Sequence, residues 1–352
     1  MERRRRITDL TREEIATFVA THGGKPFHAA QIARWVFGRG VTDPAGMTDL
    51  GRALRDALTQ SFDVTPPAVT WNCDEASTTE KALLKLSDSG GDNVEAVLIM
   101  EGERTTACIS SQAGCPVACV FCASGALGLK RNLTRGEILD QFLAVRSRAE
   151  SHGRRVSNIV VMGMGEPLLN YEAVLSALDT IHDPEGGGIG ARHITISTVG
   201  VAKGMQRLLE EGRPFTLAFS LHAPNDALRA ELVPFKAAMS IDAMVAAARA
   251  WLKDTGREAT FEYVMLAGVN AEQEHARELV RRLKGVRGTV NLIPYNENPG
   301  FTWRRPSPAA VDMFAEILRA GGLKVSVRKR KGHRILAACG QLRLQALNPG
   351  RV

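Results

Sequence analysis

From residue 105 to residue 295 the chain alternates short apolar runs, rich in β-branched and aromatic residues, with longer segments of helical spacing. That order leaves few folds open, because parallel strands need crossovers long enough to hold a helix. The candidate strands are 105–111 (TTACISS), 157–163 (SNIVVMG), 193–198 (HITIST), 215–222 (FTLAFSLH), 260–266 (TFEYVML) and 289–295 (TVNLIPY). Helical segments intervene near 135–150, 171–182, 201–211, 240–254 and 271–285, the first opened by a capping box at Thr134 and Glu137. A last helix near 307–320 precedes a short strand, LKVSVR. Strands alternating with helices predict a parallel sheet. Six such units are too few for a closed eight-fold barrel. The expected fold is therefore α/β, an open partial (β/α)6 barrel with a mouth wide enough for a large substrate.

The residues before the barrel read differently. Thr11 and Glu14 form a capping box at the helical stretch 13–21, and Ala29, Ile32, Trp35 and Val36 make a helical stripe in FHAAQIARWVFG. MTDLGRALRDAL continues in the same style, and two strands, ALLKLS and VEAVLIM, follow within 81–100 around a Ser-Gly-Gly. The expected organisation is a small N-terminal helical accessory domain (1–80), a β extension (81–104), the barrel (105–300) and a C-terminal extension (301–352).

No apolar run approaches the ~20 residues of a membrane helix. The start, MERRRR, is basic but leads into a charged segment rather than an apolar one. That argues against a secretory signal and points to the cytoplasm. Net charge is +7, from 45 basic and 38 acidic residues. The excess is clustered at Arg3–Arg6, at Arg281-Arg282 with Lys284, at Arg304-Arg305, and most densely at Arg328-Lys329-Arg330-Lys331 with His333 and Arg334. Clustered cations suit a polyphosphate partner. The terminal run reads better as a solvated face; the run at 328–334 carries more weight because of the cysteine that follows it.

In α/β barrels the chemistry gathers at the C-terminal ends of the strands. Here the unusual polar and glycine residues fall there: Cys115–Cys122 after the first strand, Gly163–Glu166 after the second, Ser197 ending the third, Ser220 and His222 ending the fourth, Asn296 after the sixth. Of the six cysteines, four lie between 108 and 122, which in a cytoplasmic chain points to metal or redox chemistry rather than a disulfide framework. AGCPVACVFCASG spaces Cys115, Cys119 and Cys122 as C-x-x-x-C-x-x-C. Thiolates are soft ligands for iron–sulfur clusters and for zinc. Three of them can hold three irons of a cubane and leave the fourth iron to a small molecule, the arrangement that binds S-adenosylmethionine through its amino and carboxylate groups. Structural zinc would need a fourth closed ligand, with Cys108 or a histidine as the candidate. Zinc sites usually add a second, distant cysteine pair, and none is present. Buried unligated thiols are the third reading.

The cysteine loop, GMGEPLLN (163–170), Ser197-Thr198, AFSLHAPND (218–226), NLIPYNENPG (291–300) and AACGQL (337–342) together resemble the radical S-adenosylmethionine adenine methyltransferases of RNA, the RlmN and Cfr group. The resemblance covers essentially the whole chain. It implies a radical S-adenosylmethionine barrel, a 4Fe-4S cluster on Cys115, Cys119 and Cys122, and two S-adenosylmethionine molecules per turnover. Gly165, Glu166, Ser197, Ser220, Leu221, His222 and Asn296 would bind the cofactor, Glu166 by accepting from its amino group. Cys339 would be the methyl carrier: one S-adenosylmethionine methylates its sulfur, and a 5′-deoxyadenosyl radical from a second removes hydrogen from that methyl group. The methylene radical adds to an adenine ring carbon and links protein to RNA. Cys108 would release the product by forming a Cys108–Cys339 disulfide. Glu95 would take the proton from the adenine carbon; an alternating strand equally suits a solvent-facing carboxylate there. Cys73 matches no motif. One departure stands out, because the family usually carries an acidic residue shortly before AACGQL and here Arg334-Ile335-Leu336 precede it.

The function expected from the resemblance is methylation of adenosine carbon 2 in 23S ribosomal RNA, with transfer RNA as a second candidate substrate. Its nearest rival is the carbon 8 activity of the antibiotic-resistance branch, and a zinc-stabilised RNA-binding protein is the non-enzyme alternative. The accessory domain would bind RNA, a flavodoxin-like donor would supply electrons, and the expected state is a monomer.

Overall fold

The computed structural model describes residues 4–74, 78–86, 92–328, 335–337 and 340–342. Three helices come first, α1 (Arg12–Thr21), α2 (Pro26–Ala33) and α3 (Arg52–Ser61), followed by β1 (Val69–Asp74), β2 (Thr79–Lys85), β3 (Asn93–Glu101) and β4 (Arg104–Cys108). A small hairpin, β5 (Gln112–Gly114) and β6 (Leu129–Asn132), brackets a short helix α4 (Ala123–Ala126). The alternation then runs α5 (Arg135–Ser151), β7 (Asn158–Val161), α6 (Tyr171–His182), β8 (Ile194–Thr198), α7 (Ala202–Glu210), β9 (Thr216–Ser220), α8 (Asp226–Leu232), α9 (Ile241–Thr255), β10 (Ala259–Met265), α10 (Gln273–Arg282), β11 (Gly288–Pro294), α11 (Pro308–Ala320) and β12 (Lys324–Val327). No helix among the described residues is long and apolar enough to cross a membrane.

Ten strands form one sheet in the order β1-β2-β3-β4-β7-β8-β9-β10-β11-β12. From β4 to β12 neighbours are parallel; β1 to β4 pair antiparallel. The partial barrel is thus present, with β12 extending it and the β extension continuing the sheet on the other side. Both capping boxes form: Thr11 with Glu14 opens α1 and Thr134 with Glu137 opens α5, each cap contributing about 1 kcal/mol. The segment 1–80, read as a helical domain, also contains β1, an edge strand whose short alternation follows Pro66-Pro67.

The N-terminal module docks on α5 through groups that a charge-run reading treats as solvent-facing. Arg6 is buried, and its Nε lies 2.8 Å from Asp140 Oδ2. Burial pushes the Asp140 carboxyl up to about 7 while the Arg6 guanidinium pulls it back. Arg135 Nη1 donates to Thr8 O (2.5 Å), and Gly136 N donates to Asp9 Oδ1 (2.6 Å). Arg305, in another run, donates to the carbonyls of Pro294 and Tyr295 and holds the end of β11. Both runs therefore have members with structural duties.

Candidate active site

The cysteine loop takes its shape from the hairpin that frames it. Gly114 closes the hairpin with φ +80°, and a Cβ there would lie 1.8 Å from Gly128 O. Gly125 packs on the loop itself, where a Cβ would meet Cys119 N at 2.9 Å. Between the first two cysteines Ala118 adopts φ 57°, a conformation uncommon outside glycine. Distant parts of the chain pin the loop: Val120 N donates to Leu232 O (3.1 Å), and Trp303 Nε1 donates to Val120 O (2.9 Å). The C-terminal segment arrives at the same place. Ala123 N and Asn298 Nδ2 donate to Gly340 O at 2.9 and 3.0 Å, and Ser124 Oγ donates to Leu342 O at 2.6 Å.

Cys115, Cys119 and Cys122 line one cavity of about 130 Å³, together with Gly165, Glu166, Ser197, Ser220, His222 and Asn296. Five strand ends, those of β4, β7, β8, β9 and β11, therefore bring the expected residues to one rim. Leu221 does not line this cavity; it is fully buried, and its carbonyl accepts from Arg229 Nε at 3.1 Å. Cys339 and residues 329–334 of the basic run lie outside the described residues.

The Glu166 carboxylate is largely committed to the protein. Oε1 accepts from Leu168 N (3.0 Å) and Thr198 Oγ1 (2.7 Å), and Oε2 from Val199 N (2.9 Å). A carboxylate offers about four acceptor positions, so one remains for a ligand's amino group. Burial pushes its carboxyl up to about 7 against those hydrogen bonds. Gly165, with φ +100°, is needed for a close approach inside the protein: its Cβ would sit 2.6 Å from Ser111 Oγ and 2.8 Å from Gln112 N. His222 has φ 61° and accepts from Val264 N through Nδ1 (3.2 Å), which places its ring proton on Nε2. Burial, with Arg229 adding, drives its pKa down to about 3, so the ring is neutral at pH 7. Ser197 and Ser220 share a hydrogen bond of 3.3 Å between hydroxyls.

Several residues of this rim escaped the sequence reading. Arg229 is buried and donates to the carbonyls of Val199, Ser220, Leu221 and Met239, clamping the ends of β8 and β9 beside Cys119. Glu262 lines both the cysteine cavity and a deeper polar cavity of about 540 Å³, also lined by Thr195, Thr260, Thr289, Asn291 and Ser326. Asn291 Nδ2 donates to Glu262 Oε2 (2.8 Å), and Ser326 Oγ donates to Asn291 Oδ1 (2.7 Å). A signal for these existed. Polar residues recur at every second position of otherwise apolar strands, and that period marks one face.

Glu95 and Cys108 meet on the same face of the β extension. Lys81, Val97 and Cys108 stand in one row across β2, β3 and β4, and Glu95 lies two residues from Val97 on that face. Such diagonal neighbours sit about 7–8 Å apart. Glu95 is 1 % exposed, which removes the reading of a solvent-facing carboxylate. Its Oε1 lies 2.8 Å from Lys81 Nζ.

Comparison with known proteins decides the family. The model of the ribosomal RNA large subunit methyltransferase N-terminal domain matches residues 6–64, and that of the radical SAM superfamily matches residues 109–280. A probable dual-specificity RNA methyltransferase RlmN of Rhodopirellula baltica is 45% identical over 97% of this chain and 91% of its own length. The dual-specificity RNA methyltransferase RlmN of Solidesulfovibrio magneticus is 41% identical, over 98% of both chains. The chain belongs to the RlmN family. A radical SAM methyltransferase from Sphaerobacter thermophilus superposes with a TM-score of 0.92 at 42% identity, over 97% of this chain and 100% of that one. As a member of the RlmN family, the protein is a radical S-adenosylmethionine RNA methyltransferase whose cofactors are a 4Fe-4S cluster and S-adenosylmethionine.

The residues present fit both groups. Among the described residues, no three Cys, His, Asp or Glu side chains close on a point where one ion could sit. A cluster takes each of the three thiols on a separate iron and leaves one iron for the cofactor. Burial pushes the Cys115 thiol up to about 12 and raises Cys119 and Cys122 as well. Ligation therefore releases protons, and loading weakens as pH falls. Asn296 Oδ1 is buried in the cavity wall with no hydrogen-bond partner among the described residues, as a waiting acceptor for a ligand would be.

Proposed function

We propose that this enzyme methylates carbon 2 of an adenosine in 23S ribosomal RNA, with transfer RNA as a second substrate, through a methylated Cys339 and a covalent protein–RNA intermediate. The observation that carries the reading is that the three loop thiols, the strand-end polar residues and Gly340, the residue after Cys339, line one cavity. The RNA class follows the family model and the relatives, whose names include dual specificity.

In this reading Cys115, Cys119 and Cys122 hold the cluster, and Gly165, Glu166, Ser197, Ser220, His222 and Asn296 hold S-adenosylmethionine, while Leu221, buried outside the cavity, supports the wall through its bonds to Arg229 and Glu262. Together the cluster and S-adenosylmethionine would supply the one-electron chemistry, both activating a methyl hydrogen on the carrier sulfur and taking back the one surplus electron as the adduct loses its ring proton. Glu95 takes the proton from the adenine carbon. Cys108, as thiolate, bonds to the Cys339 sulfur as that sulfur's bond to the methylene carbon breaks; the carbon keeps the electron pair and gains a proton. Extracting the base from stacked RNA costs a few kcal/mol, offset by basic contacts from the C-terminal run and the helical module. The reading includes a flavodoxin-type electron donor, a monomer and a cytoplasmic site of action. Mass spectrometry of nucleosides from RNA treated with the reconstituted enzyme tests the position: 2-methyladenosine is expected, and a product holding only 8-methyladenosine would assign the carbon 8 activity instead.

A further inference from the structure

Lys81 belongs to no motif, yet it is 8 % exposed in the lumen of a barrel. A buried ammonium is costly unless paired. Its first partner is Glu95 Oε1 at 2.8 Å. Its second, at a longer 3.4 Å, is the carbonyl oxygen of Leu336, 255 residues away, three positions before Cys339. No carboxylate stands at 335–337, so this contact to the carrier segment runs through the main chain. Leu336 itself has φ 51°. A branched residue in the left-handed region persists only where its surroundings hold it there, and Lys81 is one of the groups that do so.

We propose that Lys81 is a positioning residue for methyl transfer, one ammonium that fixes the Glu95 carboxylate as proton acceptor and anchors the segment leading to Cys339. The inference rests on the reading of Glu95 as the base. Other ionisable groups on this face are Glu101 further along β3, Arg104 and Cys108 on β4, and Glu262 and Arg328 on the facing wall of the lumen. Removing the cation leaves a buried carboxylate with a weaker hold on its charged form, so the base would become competent only at higher pH.

The test uses the reconstituted full-length enzyme with Lys81→Met and Lys81→Arg, following single-turnover RNA methylation across pH and amide hydrogen exchange at residues 335–337. For K81M the expected results are transfer at least about tenfold slower at pH 7, a rising pH limb displaced upward by about one unit, and faster exchange at 335–337. K81R, which keeps the charge, is expected to return the limb towards the wild-type position. A folded K81M with either a wild-type limb or wild-type exchange overturns the proposal; if K81M does not fold, Lys81→Gln takes its place on the same terms. Glu95→Gln separates the two readings. Full transfer by E95Q removes Glu95 as the base, whereas a dead E95Q beside an unshifted K81M limb removes only the role of Lys81.

Discussion

A Cys108→Ala enzyme is expected to stop with its RNA attached, giving a covalent adduct that survives denaturing electrophoresis and no free methylated product. Cys339→Ala is expected to give neither adduct nor product. The asymmetry follows from the order of bonds. In the proposed mechanism the Cys339 sulfur carries the methyl group, so without it no link to RNA is expected. Without Cys108 the link forms and lacks the thiolate that displaces it. Cys108 is buried on β4, in register with Val97 and on the face that holds Glu95, and its release of the product is part of the proposed mechanism. Mass spectrometry of a nuclease-digested adduct checks the attachment site. Free methylated RNA from Cys108→Ala at the wild-type rate would remove Cys108 from the release step.

Gly114→Ala is expected to disable the cluster site although it removes no ligand. The added Cβ would lie 1.8 Å from Gly128 O and 3.0 Å from Gly128 C, both backbone atoms just before the facing strand β6, at φ +80°. A left-handed non-glycine residue costs about 1–2 kcal/mol, and forced displacement in a packed region costs about 1–3 kcal/mol. The total, about 2–5 kcal/mol, falls on the hairpin that fixes Cys115, whose N–H donates to Gly128 O at 3.0 Å. Iron content after anaerobic reconstitution should fall well below the wild-type value, with a melting temperature lower by several degrees. Gly102→Ala is the control: at φ +50° and with nothing within 4 Å of its Cβ, it carries the conformational cost alone. Full iron loading of G114A at an unchanged melting temperature would contradict the packing argument.

The barrel was legible because its strands and helices obey simple periods, and the seven later strands emerge within a residue or a few of the apolar runs that mark them. The strand-end motifs were legible for the same reason, since a strand's end is where side chains leave the apolar pattern. What escaped depends on partners distant in sequence. β5 and β6 are three and four residues long and pair across the cysteine loop. Arg6 looked like part of a solvated run because its partners, Asp63 and Asp140, lie far along the chain. Arg229 donates to carbonyl oxygens, which no side-chain pattern encodes, and Lys81 meets a carboxylate on a neighbouring strand and a carbonyl 255 residues away. The motif shows Glu166 as an acceptor for a ligand's amino group but not that most of its acceptor capacity serves Leu168, Thr198 and Val199.

The account turns on what Cys115, Cys119 and Cys122 hold. The most direct measurement is the iron and acid-labile sulfide content of anaerobically reconstituted protein, taken beside the triple Cys→Ala variant. About four irons and four sulfides per chain, all lost in the variant, is the result the account predicts. One zinc per chain with no sulfide, retained on those same three thiols, would contradict it.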